Sequence, residues 1–207
     1  MTGATAPVVH IVDDDEAVRA ALAFLLGAEG FAVRAFDSGV AFLDGLETMQ
    51  PGCVVTDVRM PGLGGLDLQR ELLKRRIALP VIVMTGHGDV KLAVEAMKAG
   101  AVDFLEKPFA PEAMLEAVRG ALARYSEAAR EAGVMAAVKA RLEALTARER
   151  DVLEGLLAGL PNKSIAHDLG ISARTVEVYR AGLMTKMGAA NLPDLLRMVL
   201  MVRPAGL

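Results

Sequence analysis

Several polar side chains in this sequence fall where short apolar runs end, and together they could handle a phosphoryl group. Asp13-Asp14-Asp15 follows Val8-Val9-His10-Ile11-Val12, and Asp57 follows Cys53-Val54-Val55-Thr56. Thr85-Gly86 follows Val81-Ile82-Val83-Met84, and Lys107 lies just beyond Val102-Asp103-Phe104-Leu105. Carboxylates from two such ends, converging on one crevice, repel each other unless a cation or a proton intervenes. A hard divalent ion with oxygen ligands and retained waters, Mg²⁺, suits that site. Lys107 adds a fixed positive point charge. Such a pocket could carry a phosphoryl group on one carboxylate, with metal and lysine neutralising its oxygens. Taken singly, each residue is an ordinary loop or turn; their order at successive run ends is what argues for a site.

A second constellation lies near the C-terminus. Asn162-Lys163-Ser164-Ile165-Ala166-His167-Asp168-Leu169 is followed by Gly170-Ile171 and then by Ser172-Ala173-Arg174-Thr175-Val176-Glu177-Val178-Tyr179-Arg180. Gly170 permits a sharp turn and Ser172 is a good N-cap, so the spacing predicts two helices joined by a tight turn. Val176, Tyr179, Leu183 and Met187 recur at helical spacing and are expected to face a core. Arg174, Thr175, Glu177, Val178 and Arg180 are then left outside, where they could read a major groove. Lys163, Arg180 and Lys186 could contact phosphates, which position a protein on DNA without specifying sequence.

The intervening patterns predict how these groups are held. Over 8–123 the five apolar runs, with Phe31-Ala32-Val33-Arg34-Ala35 as the second, alternate with amphipathic stretches such as Val18, Leu22, Leu25 and Leu26. Five βα units in succession predict an α/β, flavodoxin-like doubly wound five-stranded parallel sheet, which binds ligands beyond the carboxyl ends of its strands. The second run reads as an edge strand and the other four as mostly buried. Gly30 and Gly100 are expected just past helix ends. From Arg124 to Leu145 the chain is rich in Ala, Glu and Arg and predicts a helical linker. Thr146-Ala147-Arg148-Glu149 is a capping box, and short helices follow it. The expected organisation is therefore 1–123, a linker over 124–145, and an all-α four-helix domain over 146–207.

Composition sets outer limits. The 207 residues are 53% hydrophobic, enough for packed cores. No apolar run approaches the roughly 20 residues of a bilayer span. The N-terminus lacks a signal-peptide pattern, so a cytoplasmic protein is expected. The single cysteine, Cys53, rules out an intrachain disulfide, and both Cys53 and His10 read as structural. The net charge of −3 is unevenly spread, because from Lys139 onward ten basic residues outnumber seven acidic ones. A basic second half permits a nucleic-acid contact.

Val12-Asp13-Asp14, Asp57-Val58-Arg59-Met60-Pro61-Gly62, Thr85-Gly86-His87-Gly88 and Lys107-Pro108-Phe109 resemble the receiver domain of response regulators over about 8–123. Leu145-Thr146-Ala147-Arg148-Glu149-Arg150-Asp151-Val152-Leu153 and the two-helix strings above resemble the LuxR-type output domain of the NarL/FixJ family. The resemblance implies a DNA-binding transcriptional activator rather than an enzyme, switched by phosphorylation of Asp57 by a sensor histidine kinase. It implies Mg²⁺ ligated by Asp14, Asp57 and the Arg59 backbone carbonyl, with Asp13 acting through water. Lys107 would hold a phosphoryl oxygen, and Thr85 and Phe104 would move as the switch. It further implies a FixL-like haem-based oxygen-sensing kinase, promoter DNA, RNA polymerase, nitrogen-fixation targets, and a homodimer when phosphorylated. His87 and Arg59 occupy positions that tune loss of the phosphoryl group in this family.

Two residues depart from the pattern. Gly182 lies in the predicted recognition helix where a larger polar residue is usual, and Lys91 replaces a usual proline. Other readings are weaker. Asp13-x-Asp15 would suit a haloacid-dehalogenase-type phosphatase, but Glu16-Ala17 follows in place of a hydroxyl and apolar pair. No Gly-x-Gly-x-x-Gly follows the first strand, against a dinucleotide-dependent oxidoreductase. A constitutive DNA-binding regulator with an inactive receiver stays as the alternative.

Overall fold

The computed structural model describes residues 7–86 and 90–203. His87, Gly88 and Asp89, and with them that part of the predicted motif, lie outside the described residues. By internal contacts the chain divides into two compact units, 1–128 and 129–207.

The first unit is a five-stranded parallel sheet in the order β2-β1-β3-β4-β5. Its strands are β1 (Val8–Val12), β2 (Ala32–Phe36), β3 (Gly52–Asp57), β4 (Val81–Thr85) and β5 (Asp103–Glu106). The helices are α1 (Glu16–Ala28), α2 (Gly39–Asp44), α3 (Gly65–Lys74), α4 (Val90–Lys98) and α5 (Pro111–Glu143). Strand side chains alternate between faces, so each β-branched run feeds two cores. Val9, Ile11, Cys53, Val55, Ile82 and Met84 pack against α1 and the first turns of α5. Val12, Val54, Val81 and Val83 pack against α2, α3 and α4. Burying one such side chain fully contributes roughly 1.5–3 kcal/mol.

Two strand expectations need correction. Phe31 does not open β2; its amide donates to the Leu26 carbonyl in the return from α1, and the strand runs on to Phe36. The fifth strand is not mostly buried. It has only β4 beside it, and its residues alternate between half-buried and exposed. Its apolar run was short enough to look like a central strand, but edge position is set by chain order in the sheet.

His10 and Cys53 are fully buried. His10 Nε2 lies 3.0 Å from the Gln50 carbonyl, and its ring clusters with those of Phe36 and Phe42. Burial pulls its pKa below the ordinary value against the hydrogen bond's opposing pull. Burial pushes the Cys53 thiol up to about 12.

The second unit holds α6 (Ala147–Leu157), α7 (Asn162–Leu169), α8 (Ala173–Met187) and α9 (Leu192–Val202). Thr146 caps α6 through a complete capping box, and Ser172 caps α8. Gly170 ends α7 at φ 65°, a left-handed conformation that glycine adopts without a Cβ penalty. Val152, Leu153, Leu156, Ile165, Val176, Leu183, Met187, Leu195 and Val199 close one core. Val138 and Leu145 are buried in that core and Leu142 packs on it. The last turns of the expected linker thus belong to the second unit's packing, while residues 126–137 are exposed. Among the described residues no helix is long and apolar enough to cross a membrane.

Candidate functional site: an acidic pocket and a recognition helix

The acidic pocket follows from strand order. β1 has β2 on one side and β3 on the other, so chain connections leave β1 in opposite directions and open a crevice at its carboxyl end. Val12 pairs with Thr56 in register, which sets Asp13 beside Asp57. Gly65 opens α3 against the Asp57 carbonyl, where an added Cβ would collide. Lys107 reaches in from the end of β5, its own amide donating to the Thr85 carbonyl at 2.7 Å.

Lys107 Nζ donates to Asp57 Oδ1 at 2.6 Å and to Asp13 Oδ2 at 2.9 Å. The side chains are 28% exposed for Lys107, 13% for Asp57 and 2% for Asp13, so solvent screens this triad poorly. Burial pulls the Lys107 ammonium down, yet the hydrogen bonds and charges of Asp57 and Asp13 outweigh it and hold its pKa above the ordinary value. Asp57 Oδ2 accepts from the Arg59 amide and Asp13 Oδ1 from the Asp15 amide, which fixes both carboxylates. Arg19 Nη1 donates to the Asp13 carbonyl at 2.7 Å. Arg19 was not singled out from the sequence, since an arginine one turn into a helix carries no motif.

Asp13, Asp57 and Lys107 are therefore brought together, and Asp14 is not: its side chain is exposed beside them. Among the described residues no three His, Cys, Asp or Glu side chains are gathered closely enough to enclose a metal as they stand. The donor set still suits a hard cation. Two fixed carboxylates face one crevice, and an exposed third, with water, can complete an oxygen shell. Asp15 faces elsewhere; its carboxylate caps α1, accepting from the amides of Ala17 and Val18. That removes the second aspartate a dehalogenase-type site would need.

Thr85 is 3% exposed and its hydroxyl donates to the Gly86 carbonyl, whereas Phe104 is 41% exposed. Both line a cleft of about 320 Å³ between β4, β5 and α4, with Val94, Met97 and Lys98 on its far wall. Lys91 is exposed near the start of α4.

On the second unit, Lys163, Arg174, Glu177 and Val178 are exposed, Val178 at 66%. Thr175 is half-buried, its hydroxyl 2.8 Å from the Ser172 hydroxyl, so it serves the cap of α8. Arg180 is half-buried and donates to Asn162 on α7 at 3.3 Å. Lys186 is exposed at the end of α8, and its Nζ donates to Glu149 on α6 at 2.7 Å. Gly182 sits opposite the same carboxylate, and a Cβ there would lie 3.2 Å from Glu149 Oε1. Glu149 was legible only as a capping residue.

Comparison with known proteins agrees with both halves. The family described as "Response regulator receiver domain" matches residues 9–119, and "Bacterial regulatory proteins, luxR family" matches residues 143–199. The chain is 58% identical to the transcriptional regulatory protein FixJ of Azorhizobium caulinodans, over 95% of this chain and 94% of that protein. Among solved structures it is similar to the response regulator StyR, with a TM-score of 0.84 and 39% identity over 94% of this chain and 98% of that one. It is also similar to full-length FixJ from B. japonicum, with a TM-score of 0.61 and 48% identity over 96% and 98% of the two chains. The matched families and relatives are described as response regulators and as bacterial or transcriptional regulatory proteins. With an acidic crevice at the carboxyl ends of β1 and β3 and a helix-turn-helix in its second unit, the chain belongs to the NarL/FixJ-type response regulators, a receiver domain joined to a LuxR-type DNA-binding domain.

Proposed function

We propose that Asp57 accepts a phosphoryl group from the phosphohistidine of a FixL-like sensor histidine kinase, and that this switches a cytoplasmic transcriptional activator. The observation that carries the reading is the shared Lys107, which holds Asp57 and Asp13 side by side at the switch point of the sheet. An Asp57 carboxylate oxygen attacks phosphorus as the N–P bond breaks, and the electron pair stays on the histidine nitrogen, which takes up a proton. Asp14, Asp57 and the Arg59 carbonyl would hold Mg²⁺, with Asp13 acting through water. When bound, the ion supplies charge neutralisation for the phosphoryl oxygens. Lys107 exchanges one carboxylate partner for a phosphoryl oxygen.

The Thr85 hydroxyl then turns toward the new anion and Phe104 turns into the cleft beside it. The room in that cleft and the exposure of Phe104 support this step. The change favours pairing of two receivers and relieves inhibition of the DNA-binding domain. Paired recognition helices α8 then enter successive major grooves of promoter DNA. Arg174, Thr175, Glu177 and Val178 face base edges, with Lys163 and Arg180 toward phosphates. RNA polymerase is the downstream partner, and the likeness to FixJ makes nitrogen-fixation genes the proposed targets.

The test is treatment of the full chain with acetyl phosphate and Mg²⁺, read by intact mass and sedimentation. Wild type is expected to gain one phosphoryl group and dimerise, and Asp57→Asn to do neither. A wild type that gains no mass, or an Asp57→Asn variant that gains as much, would refute the assignment.

A further inference from the structure

Glu149 carries a burden that its place in the capping box does not account for. It lies in the first turn of α6, is 6% exposed, and its Oε2 accepts from the Thr146 amide and hydroxyl, each at 2.8 Å. Those two bonds satisfy the cap. A third comes from another helix: Lys186 Nζ, in the last turn of α8, donates to the same oxygen at 2.7 Å. The pair is unevenly exposed, at 8% for the Glu149 side chain and 40% for Lys186. Gly182, one turn before Lys186, faces the same carboxylate, and a Cβ there would lie 3.2 Å from Glu149 Oε1.

A buried carboxylate with a lysine on it behaves differently from a free surface lysine. Removing Lys186 to a DNA phosphate would leave the Glu149 charge poorly solvated, which is costly. An ammonium has three donors, so Lys186 could still touch a phosphate while bonded, but the pair then presents no net charge. Counterion release counts the phosphates that the protein's cations neutralise, and a lysine already neutralised by Glu149 neutralises none.

We infer that Glu149 is a resident counter-ion of the recognition helix, positioning α8 on α6 through Lys186 and withholding that cation from DNA phosphates. The inference rests on the DNA-binding reading above. It makes Glu149 a brake on non-specific affinity: the Lys186 cation is used to place α8, not to attract any duplex.

The test uses the full chain with acetyl phosphate and constant Mg²⁺, and a mixed-sequence duplex followed by fluorescence anisotropy across a KCl series. Glu149→Gln retains a side chain that suits the capping box but removes its charge, which frees Lys186. The plot of log K against log [KCl] is expected to steepen by about 0.9. Lys186→Met, which keeps the apolar stem, is expected to leave the slope unchanged, and the double variant should return to the wild-type slope. A merely structural role for Glu149 would change thermal stability in these variants without steepening the slope. Flattening by about 0.9 in Lys186→Met, with no steepening in Glu149→Gln, would overturn the inference while leaving DNA binding intact. Absence of salt-dependent binding in wild type is a different result, which overturns the DNA-binding reading and this inference with it. Should Glu149→Gln fail to fold, flattening by about 0.9 in Lys186→Met alone still overturns the inference.

Discussion

Replacing Lys107 with methionine would isolate what the acidic pocket costs when its cation is gone. The substitution keeps an apolar stem of similar length and removes the one charge that the Asp13 and Asp57 carboxylates share, at 2.9 and 2.6 Å. Their two oxygens then face each other with no cation between them. At a separation of about 5 Å and an effective dielectric of about 20, the repulsion is roughly 3 kcal/mol. Breaking a buried pair by removing one partner generally costs about 3–5 kcal/mol. Lys107 is 28% exposed, so water can enter as it leaves, and the expected loss is nearer 2–3 kcal/mol. For a unit of this size that is roughly 8–12 °C in Tm. Differential scanning calorimetry of the full chain would read it, with the second unit as internal control because its core shares no residue with the first. The loss must shrink with millimolar Mg²⁺, which restores a cation, and with Asp13→Asn, which removes one charge but can still accept the Asp15 amide. An unchanged Tm, or a loss that neither Mg²⁺ nor Asp13→Asn diminishes, would refute the electrostatic account of the pocket.

Other consequences can be checked in the second unit and the connecting helix. Glu149 is held down to about 2 first by the Lys186 hydrogen bond and then by the Thr146 amide. A carboxyl lowered in the folded state adds stability above its unfolded pKa of about 4.3, and that stability is lost as pH falls. The second unit's Tm should thus drop between about pH 5 and pH 2, and Glu149→Gln should flatten that drop; an equally steep fall in the variant would refute it. Gly133 lies in α5 with open space where a Cβ would sit, so Gly133→Ala should stabilise by about 0.5–1 kcal/mol. Gly182→Ala should gain distinctly less when both variants are compared by urea titration, since its Cβ would press on Glu149 at 3.2 Å. Equal gains would show that the α6–α8 contact has slack.

How much of this was legible in the sequence depends on how local each cause is. The pocket was legible because β-branched runs announce parallel strands and the chemistry sits at their carboxyl ends, so Asp13, Asp57 and Lys107 could be placed without coordinates. Which strands stand at the edge was less so, because Val102-Asp103-Phe104-Leu105 has a composition that a central strand would also tolerate, and only the order of the five strands exposes Phe104. The helix through 124–145 follows from propensity, but the burial of Val138, Leu142 and Leu145 is tertiary. Their spacing of four and three residues is a helical stripe and could have been read as packing. Lys186 is the hardest case. Periodicity placed it off the core face of α8, and an exposed lysine beside a recognition helix invites a phosphate contact. What it pairs with is an acid 37 positions earlier, whose capping-box signature explains that acid fully at the local level. Gly182 is the trace that sequence does retain: glycine inside a helix is unfavourable by itself, so its presence marks a neighbour that local rules do not supply, and here that neighbour is Glu149.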